Sequence, residues 1–276
     1  MAAIEADSAL VRLVETDAAA GLLLSTEAHW NQNEADWRFF IRRGLTFGIR
    51  EGGELVATAA LLPHDDTDAW ISMVLVTERC RRRGLATRLI DRCLAEAEAL
   101  KLTTWLDATP AGATVYGPLG FAGVLELRRL RLTAKLAGPA GRAALADAKL
   151  LDLIARDRAA LGCDRTDLLS ELSSRNGSRL VEYKDAIALV RDGRVARHIG
   201  PLFAPNLDKA LALIDAIVAA ETRPILLDAV AGPSGFVEAL EQRGWVVERP
   251  FLRMRHGTAS QPLGELPFAV AGPEYG

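Results

Sequence analysis

Apolar and polar positions fall into two periods along this chain. Residues 71–76 form a run that is apolar but for Ser72 and rich in β-branched side chains, the pattern of a buried strand. After a polar loop, Leu85, Leu89 and Cys93 recur at helical spacing, with Ile90, Leu94 and Ala97 beside them. One apolar stripe of that length predicts a helix of about four to five turns. Ahead of this pair, residues 9–14 read as a first strand and 17–24 as a short helix. Asn33 stands where it can cap a helix with Glu34 and Asp36 in its first turn and an apolar face of Trp37, Phe40 and Ile41; acids favour the positive end of a helix. Residues 45–50 and 55–62 predict two strands joined at Glu51-Gly-Gly-Glu54, a hairpin turn. Residues 65–68 turn into the apolar strand. Residues 102–106 predict another strand, followed by a short helix carrying Tyr116, and 124–133 is expected to close the sheet.

The second half repeats this order. A small-residue join at Leu136-Ala-Gly-Pro-Ala-Gly141 reads as a linker and divides the chain into domains at 1–136 and 137–276. Helical spacing covers 147–161, and Asp164 offers a cap for a second helix to about Ser174. A hairpin follows, with strands at 185–191 and 195–203 around Asp192-Gly193, then a striped helix over 207–220. Ile225-Leu-Leu-Asp-Ala229 echoes Trp105-Leu-Asp-Ala108, and after a helix over 236–243, Gly244-Trp245 opens a last strand as Gly120-Phe121 does.

Composition adds little to this picture. Half of the 276 residues are hydrophobic and a quarter charged, a soluble globular balance. The net charge of −3 provides no strong field for nucleic acid. Cys80, Cys93 and Cys163 are scattered without metal-ligand spacing, so no metal is expected and a reducing compartment is. The start of the chain has no signal-peptide pattern and no run reaches membrane length, so the expected location is the cytoplasm, with no membrane partner.

The chemistry concentrates in the loop Thr77-Glu-Arg-Cys-Arg-Arg-Arg-Gly84 and the helix start Leu85-Ala86-Thr87. The first N–H groups of a helix lack partners within it, and the dipole makes that end positive. An anion bound there meets free donors. Gly84 and Ala86 let a pyrophosphate approach the main chain, and Arg81, Arg82 and Arg83 add charge that can grip phosphate. The competing reading of four arginines in five residues is a solvated basic turn.

This stretch, as Arg81-x-x-Gly84-x-Ala86, resembles the acetyl-CoA-binding motif of the GNAT N-acyltransferase superfamily, and Tyr116-Gly-Pro-Leu-Gly120-Phe121 resembles that family's Tyr-x-x-x-Gly-Phe. The resemblance covers roughly residues 5–133. The layout is also similar to two-domain bacterial members, through Gly200-Pro-Leu-Phe-Ala204 and Arg249-Pro-Phe-Leu-Arg-Met254. It implies an α+β GNAT fold, a mixed, mainly antiparallel sheet flanked by helices, followed by a second GNAT-like domain. It further implies an acetyl-CoA co-substrate held by Val74, Leu75, Val76, Arg81, Arg82, Arg83, Gly84, Leu85, Ala86, Thr87 and Thr109. An amine of a small molecule or a protein would be the acceptor, and Tyr116 the acid that protonates the leaving thiolate. The family places acceptor recognition between the first two strands, which here brings in Trp30, Asn31 and Asp36; His198 is the candidate from the second half. Glu27, Glu34, Asp36, Asp107, His29, His64 and His198 stay open as the base.

The echo fails where chemistry needs it. The loop Ala204-Pro-Asn-Leu-Asp208 lacks arginine and glycine and carries an acid, and Leu240 stands where the tyrosine would. The second domain therefore reads as a degenerate copy, one that completes an acceptor pocket, forms an interface such as a homodimer's, or only stabilises the chain. Two rivals remain for the whole: a non-catalytic acyl-CoA sensor or scaffold, and a nucleic-acid module using the arginine loop, against which the acidic balance argues.

Overall fold

The computed structural model describes residues 9–133, 145–232, 235–258 and 264–276, so the join expected at 136–141 lies outside the described residues. The chain divides into two units, Met1–Leu106 and Asp107–Gly276.

The first unit runs β1 (Ala9–Arg12), α1 (Ala18–Glu27), α2 (Glu34–Arg43), β2 (Leu45–Glu51), β3 (Glu54–Pro63), β4 (Asp68–Val76), α3 (Leu85–Ala99) and β5 (Thr103–Ala108), in whose course the division falls. Strands β1 to β4 pair antiparallel in sequence order, and β5 joins β4 parallel. Local chemistry sets the elements. Asn33 Oδ1 accepts the Asp36 N–H at 3.2 Å while Asp36 Oδ2 accepts the Asn33 N–H at 2.8 Å, a reciprocal cap that starts α2. Trp37 is fully buried and donates through Nε1 to Ser25 Oγ at 3.1 Å, which fastens α2 to α1. The α3 stripe buries Leu85, Leu89, Ile90 and Cys93, and burial pushes the Cys93 thiol up to about 12.

The second unit runs α4 (Pro110–Tyr116), β6 (Ala122–Leu132), β7 (Ala146–Asp147), α5 (Leu150–Leu161), α6 (Thr166–Ser174), β8 (Arg179–Tyr183), β9 (Ala186–Asp192), β10 (Arg197–Phe203), α7 (Leu207–Ala220), β11 (Ile225–Ala231), α8 (Phe236–Glu241) and β12 (Val246–His256). Its strand order is β12-β6-β11-β10-β9-β8-β7, antiparallel except for β10 against β11. Here the structure corrects the sequence expectation for 124–133. Strand β6 lies between β12 and β11 of the second unit. Strand partners are chosen across long sequence separations, and the side chains of β6 find theirs in this unit.

The central pairing is ionic as well as hydrogen-bonded. Arg129 on β6 grips Asp228 on β11 through Nε and Nη2, both at 2.8 Å. Arg253 on β12 grips Asp107 in the same two-pronged way, both at 2.8 Å. The four side chains are buried. Arg129 follows Phe121, and Arg253 follows Trp245, by the same number of residues, so the two pairs are copies within the repeat. Each arginine's partner aspartate also occupies the matching place, Asp107 in Trp105-Leu-Asp-Ala108 and Asp228 in Ile225-Leu-Leu-Asp-Ala229.

Removing one partner of such a pair strands a buried charge. Arg253→Met should therefore cost about 3–5 kcal/mol in urea unfolding, whereas Arg253→Met with Asp107→Leu should cost less than the single change. A double variant as unstable as the sum of both singles would show that Arg253 and Asp107 are not energetically coupled and would contradict this reading.

Candidate active site

Strand β4 and helix α3 place most of the predicted cofactor residues. Beside β5, β4 is paired only through Asp68↔Thr103, Ala69↔Thr104 and Trp70↔Trp105. Its register against β3 slips between Thr58 and Ala60, with Met73 at φ 52°. Val74, Leu75 and Val76 thus follow a bulge that bends the strand and lie past the last β4–β5 pair. Thr77 and a short 3-10 turn (Glu78–Cys80) lead into the arginine loop.

Gly84 takes the left-handed conformation at φ 76° and caps α3 without a side-chain bond. The N–H groups of Leu85, Ala86 and Thr87 therefore receive no acceptor from the cap. A Cβ on Gly84 would meet nothing within 4 Å, so a side chain there would project into open space at the helix mouth. The arginines are arranged less simply than the sequence implies. Arg83 bonds Glu51 at 2.7 and 3.1 Å, Arg81 bonds Glu78 and the Val76 carbonyl, both at 3.3 Å, and Arg79 pairs with Glu54 at 2.6 Å. The Arg83 guanidinium holds the Glu51 carboxyl below its ordinary range. Arg82, exposed and at φ 60°, makes no ion pair among the described residues. The equivalent helix of the second unit is capped by its own chain: Asn206 Oδ1 accepts the Lys209 N–H at 3.0 Å, with Asp208 in the first turn.

Thr109 caps α4, accepting the Gly112 N–H at 3.2 Å. Tyr116 ends that helix, half-buried, its ring 6.0 Å from Phe121, which in turn lies 5.4 Å from His256. His256 has no place in the motifs. Its signal was only positional, at the end of the strand that repeats β6.

Of the acceptor candidates, Trp30 is half-buried and Asn31 buried at the α1–α2 join. Asp36 is fully buried and committed to the α2 cap. Gln32 Oε1 and Ser72 Oγ, neither foreseen, are buried without a hydrogen-bond partner among the described residues. Ser72 was marked in the sequence only as a polar residue in an apolar run, and Gln32, between Asn31 and Asn33, had no mark. The base candidates are mostly engaged. Glu27 accepts from the Glu78 N–H at 2.7 Å and from Thr77 Oγ1 at 2.9 Å, and the Glu78 bond leads in holding its carboxyl below the ordinary range. Burial pushes the Asp107 carboxyl above it against the pull of Arg253. His64 leans on Trp70 at 5.9 Å, and His29 is exposed.

His198 is buried on β10 with Nε2 3.0 Å from Asp228 Oδ2, while Nδ1 has no partner among the described residues. Burial, aided by Arg191, lowers its pKa from the ordinary 6.5 despite Asp228. Burial disfavours the Asp228 carboxylate, but Arg129 and His198 outweigh that and hold it ionised well below the usual range.

Two family profiles match the chain: one described as the Acetyltransferase (GNAT) family over residues 13–121, and one as an Acetyltransferase (GNAT) domain over 153–265. The uncharacterized N-acetyltransferase YitH of Bacillus subtilis is 24% identical over 249 residues, 86% of this chain and 87% of that protein. A solved structure of a candidate acetyltransferase from Pyrococcus horikoshii superposes with a TM-score of 0.81 at 18% identity, covering 100% of this chain and 98% of that one. A tandem GNAT protein from the clavulanic acid biosynthesis pathway gives 0.65 at 16% identity over 92% and 100% of the two chains. The last two likenesses concern the fold.

A lowered histidine pKa means that the unfolded chain takes up more protons than the folded one below pH 6.5. Stability contributed by neutral His198 should be complete above that pH and be lost as pH falls through the folded pKa. The urea midpoint of the wild type should decline on acidification below 6.5, and His198→Gln should reduce that slope. An unchanged slope would place the proton uptake elsewhere.

Proposed function

We propose that this chain, which belongs to the GNAT acetyltransferases, moves an acetyl group from acetyl-CoA to a primary amine of a small molecule or a peptide. The observation that carries this reading is the α3 N-terminus: N–H groups without a side-chain cap, a left-handed Gly84 with open space outside it, and a parted strand immediately before. These features suit a pyrophosphate and an amide-bearing arm, so the residues fit the co-substrate. Leu85, Ala86 and Thr87 would hold the pyrophosphate by backbone donors, and the exposed Arg82 would reach it with least competition. Arg81 and Arg83 would have to exchange carboxylate partners for phosphate; in the absence of ligand, those carboxylates keep the arginine loop in place.

The main chain of Val74–Val76, numbers 74 to 76 of β4, would bind the amides of the arm and polarise the thioester carbonyl. Acetyl-CoA supplies the activated acyl group. Fixing it against this strand makes attack effectively intramolecular, and fixed dipoles at the carbonyl favour the charge that develops there. The acceptor amine attacks as the neutral species and must lose a proton, while the departing thiolate must gain one. Tyr116 is the proposed proton donor. Trp30 and Asn31, with Gln32, whose Oε1 has no partner among the described residues, are the proposed acceptor contacts. The carboxylates and imidazoles that the fold already engages make a water-mediated base the simpler choice.

Gly84→Glu should abolish CoA binding in calorimetry without unfolding the protein, because a carboxylate then occupies the anion position. A folded variant with unchanged affinity would remove the cofactor assignment. Tyr116→Phe should lower kcat about 10- to 1000-fold with acetyl-CoA affinity near normal; undiminished turnover would make Tyr116 a structural residue.

A further inference from the structure

The second unit contains its own parted pair of strands, and that gap is filled. Strand β10 pairs parallel with β11 only through Arg197↔Ile225, His198↔Leu226 and Ile199↔Leu227. Beyond that point the backbone groups of both strands would face an unpaired gap, which buried main chain does not tolerate. Residues 268–270 enter it. The Phe268 N–H donates to Leu202 O at 2.8 Å and Leu202 N–H to Ala269 O at 2.8 Å on one side. Val230 N–H donates to Phe268 O at 3.0 Å and Val270 N–H to Asp228 O at 3.0 Å on the other. Ala269 is bridged antiparallel to both Leu202 and Ala229. A Cβ on Gly200 would stand 2.0 Å from Val270 O, so the close approach of this segment requires the glycine.

Two arginines clamp the chain beyond Val270. Arg191 Nη2 donates to Ala271 O at 2.9 Å and to Glu274 Oε1 at 3.1 Å, and its guanidinium lies 5.3 Å from the Tyr275 ring centroid. Arg165 Nη1 donates to Tyr275 O at 2.9 Å and also to Gly276 O, while Asp157 holds the same guanidinium at 2.6 and 2.9 Å. Ala269, Ala271 and Tyr275 are fully buried. Nearly all of these contacts reach the main chain of the segment, which is how a sheet recognises an extended polypeptide.

We propose that the gap between β10 and β11 is a peptide-binding slot, occupied in cis by residues 268–270 and locked by Arg191 and Arg165, and that it takes an extended polypeptide and no acyl-CoA. The self-capped start of α7, with Asp208 in its first turn, removes the place a pyrophosphate would need. Only the count of one acyl-CoA per chain rests on the function proposed for the first unit.

The test inserts a specific protease site between residues 258 and 264 of the full chain, cuts the folded protein, and reads native mass spectra and acetyl-CoA titrations before and after. The fragment containing 266–276 should stay bound one-to-one, saturating acetyl-CoA should not displace it, and the uncut chain should bind a single acetyl-CoA. Displacement by acetyl-CoA, a second acetyl-CoA site, or loss of the fragment with no fall in Tm would overturn the slot. Absence of any acetyl-CoA binding with the fragment retained would overturn the first unit's assignment alone. If the insertion prevents folding, Val270→Pro in the uninterrupted chain serves. Losing one ladder bond should speed exchange of the Leu202 and Val230 amides about tenfold, and unchanged exchange would overturn the proposal.

Discussion

Two parallel strands that part after three paired residues leave rows of backbone donors and acceptors with nowhere to go. That constraint, imposed by the cost of an unmade buried hydrogen bond, organises each unit of this protein separately. In the unit of residues 107–276 the chain meets it with its own residues 268–270. In the unit of residues 1–106 the same parting precedes a helix start whose N–H groups receive no side-chain cap. One arrangement completes itself; for the other the proposed occupant is a ligand that carries amides and phosphates. The difference lies in a few residues at the two helix starts: Gly84 and its arginines against Asn206 and Asp208.

The ionic groups of the second unit support that arrangement. Arg129, Asp228 and His198 form one buried chain of contacts, and Arg191 with Glu274 and Arg165 with Asp157 form two more around the inserted segment. Buried ion pairs contribute little net stability because desolvation offsets attraction, but a wrong register would leave several charges unpaired. Here Arg129 and Asp228 join β6 to β11, strands whose partners local sequence does not specify. The arginine recurs at the same spacing after Gly120-Phe121 and after Gly244-Trp245.

Features fixed by neighbouring residues were legible in the sequence. The Asn33 cap, the α3 stripe, the turn at Gly84 and the hairpin at Asp192-Gly193 each depend on a handful of consecutive positions, and the fold class came from the family resemblance that the motifs around Gly84 and Tyr116 carry. Long-range pairing was not legible. Residues 122–132 have the alternation of a strand, but nothing within them says that β11 and β12 are the neighbours. Leu266-Pro-Phe-Ala-Val270 is a short apolar run whose role exists only because β10 and β11 part. At the candidate site, the arginines were readable as charge, yet Glu51, Glu54 and Glu78, which hold three of them, are partners the motif does not mention. Gln32 Oε1 and Ser72 Oγ stood out only once they were seen to be buried without a partner among the described residues.

The central claim, that the two parted strand pairs have different occupants, is tested most directly by a crystal structure of the full chain grown with CoA. The account predicts pyrophosphate oxygens within hydrogen-bond distance of the Leu85, Ala86 and Thr87 N–H groups, the arm running along residues 74–76, and residues 268–270 still paired with Leu202 and Val230. CoA lying between β10 and β11, with residues 268–270 expelled, would contradict it.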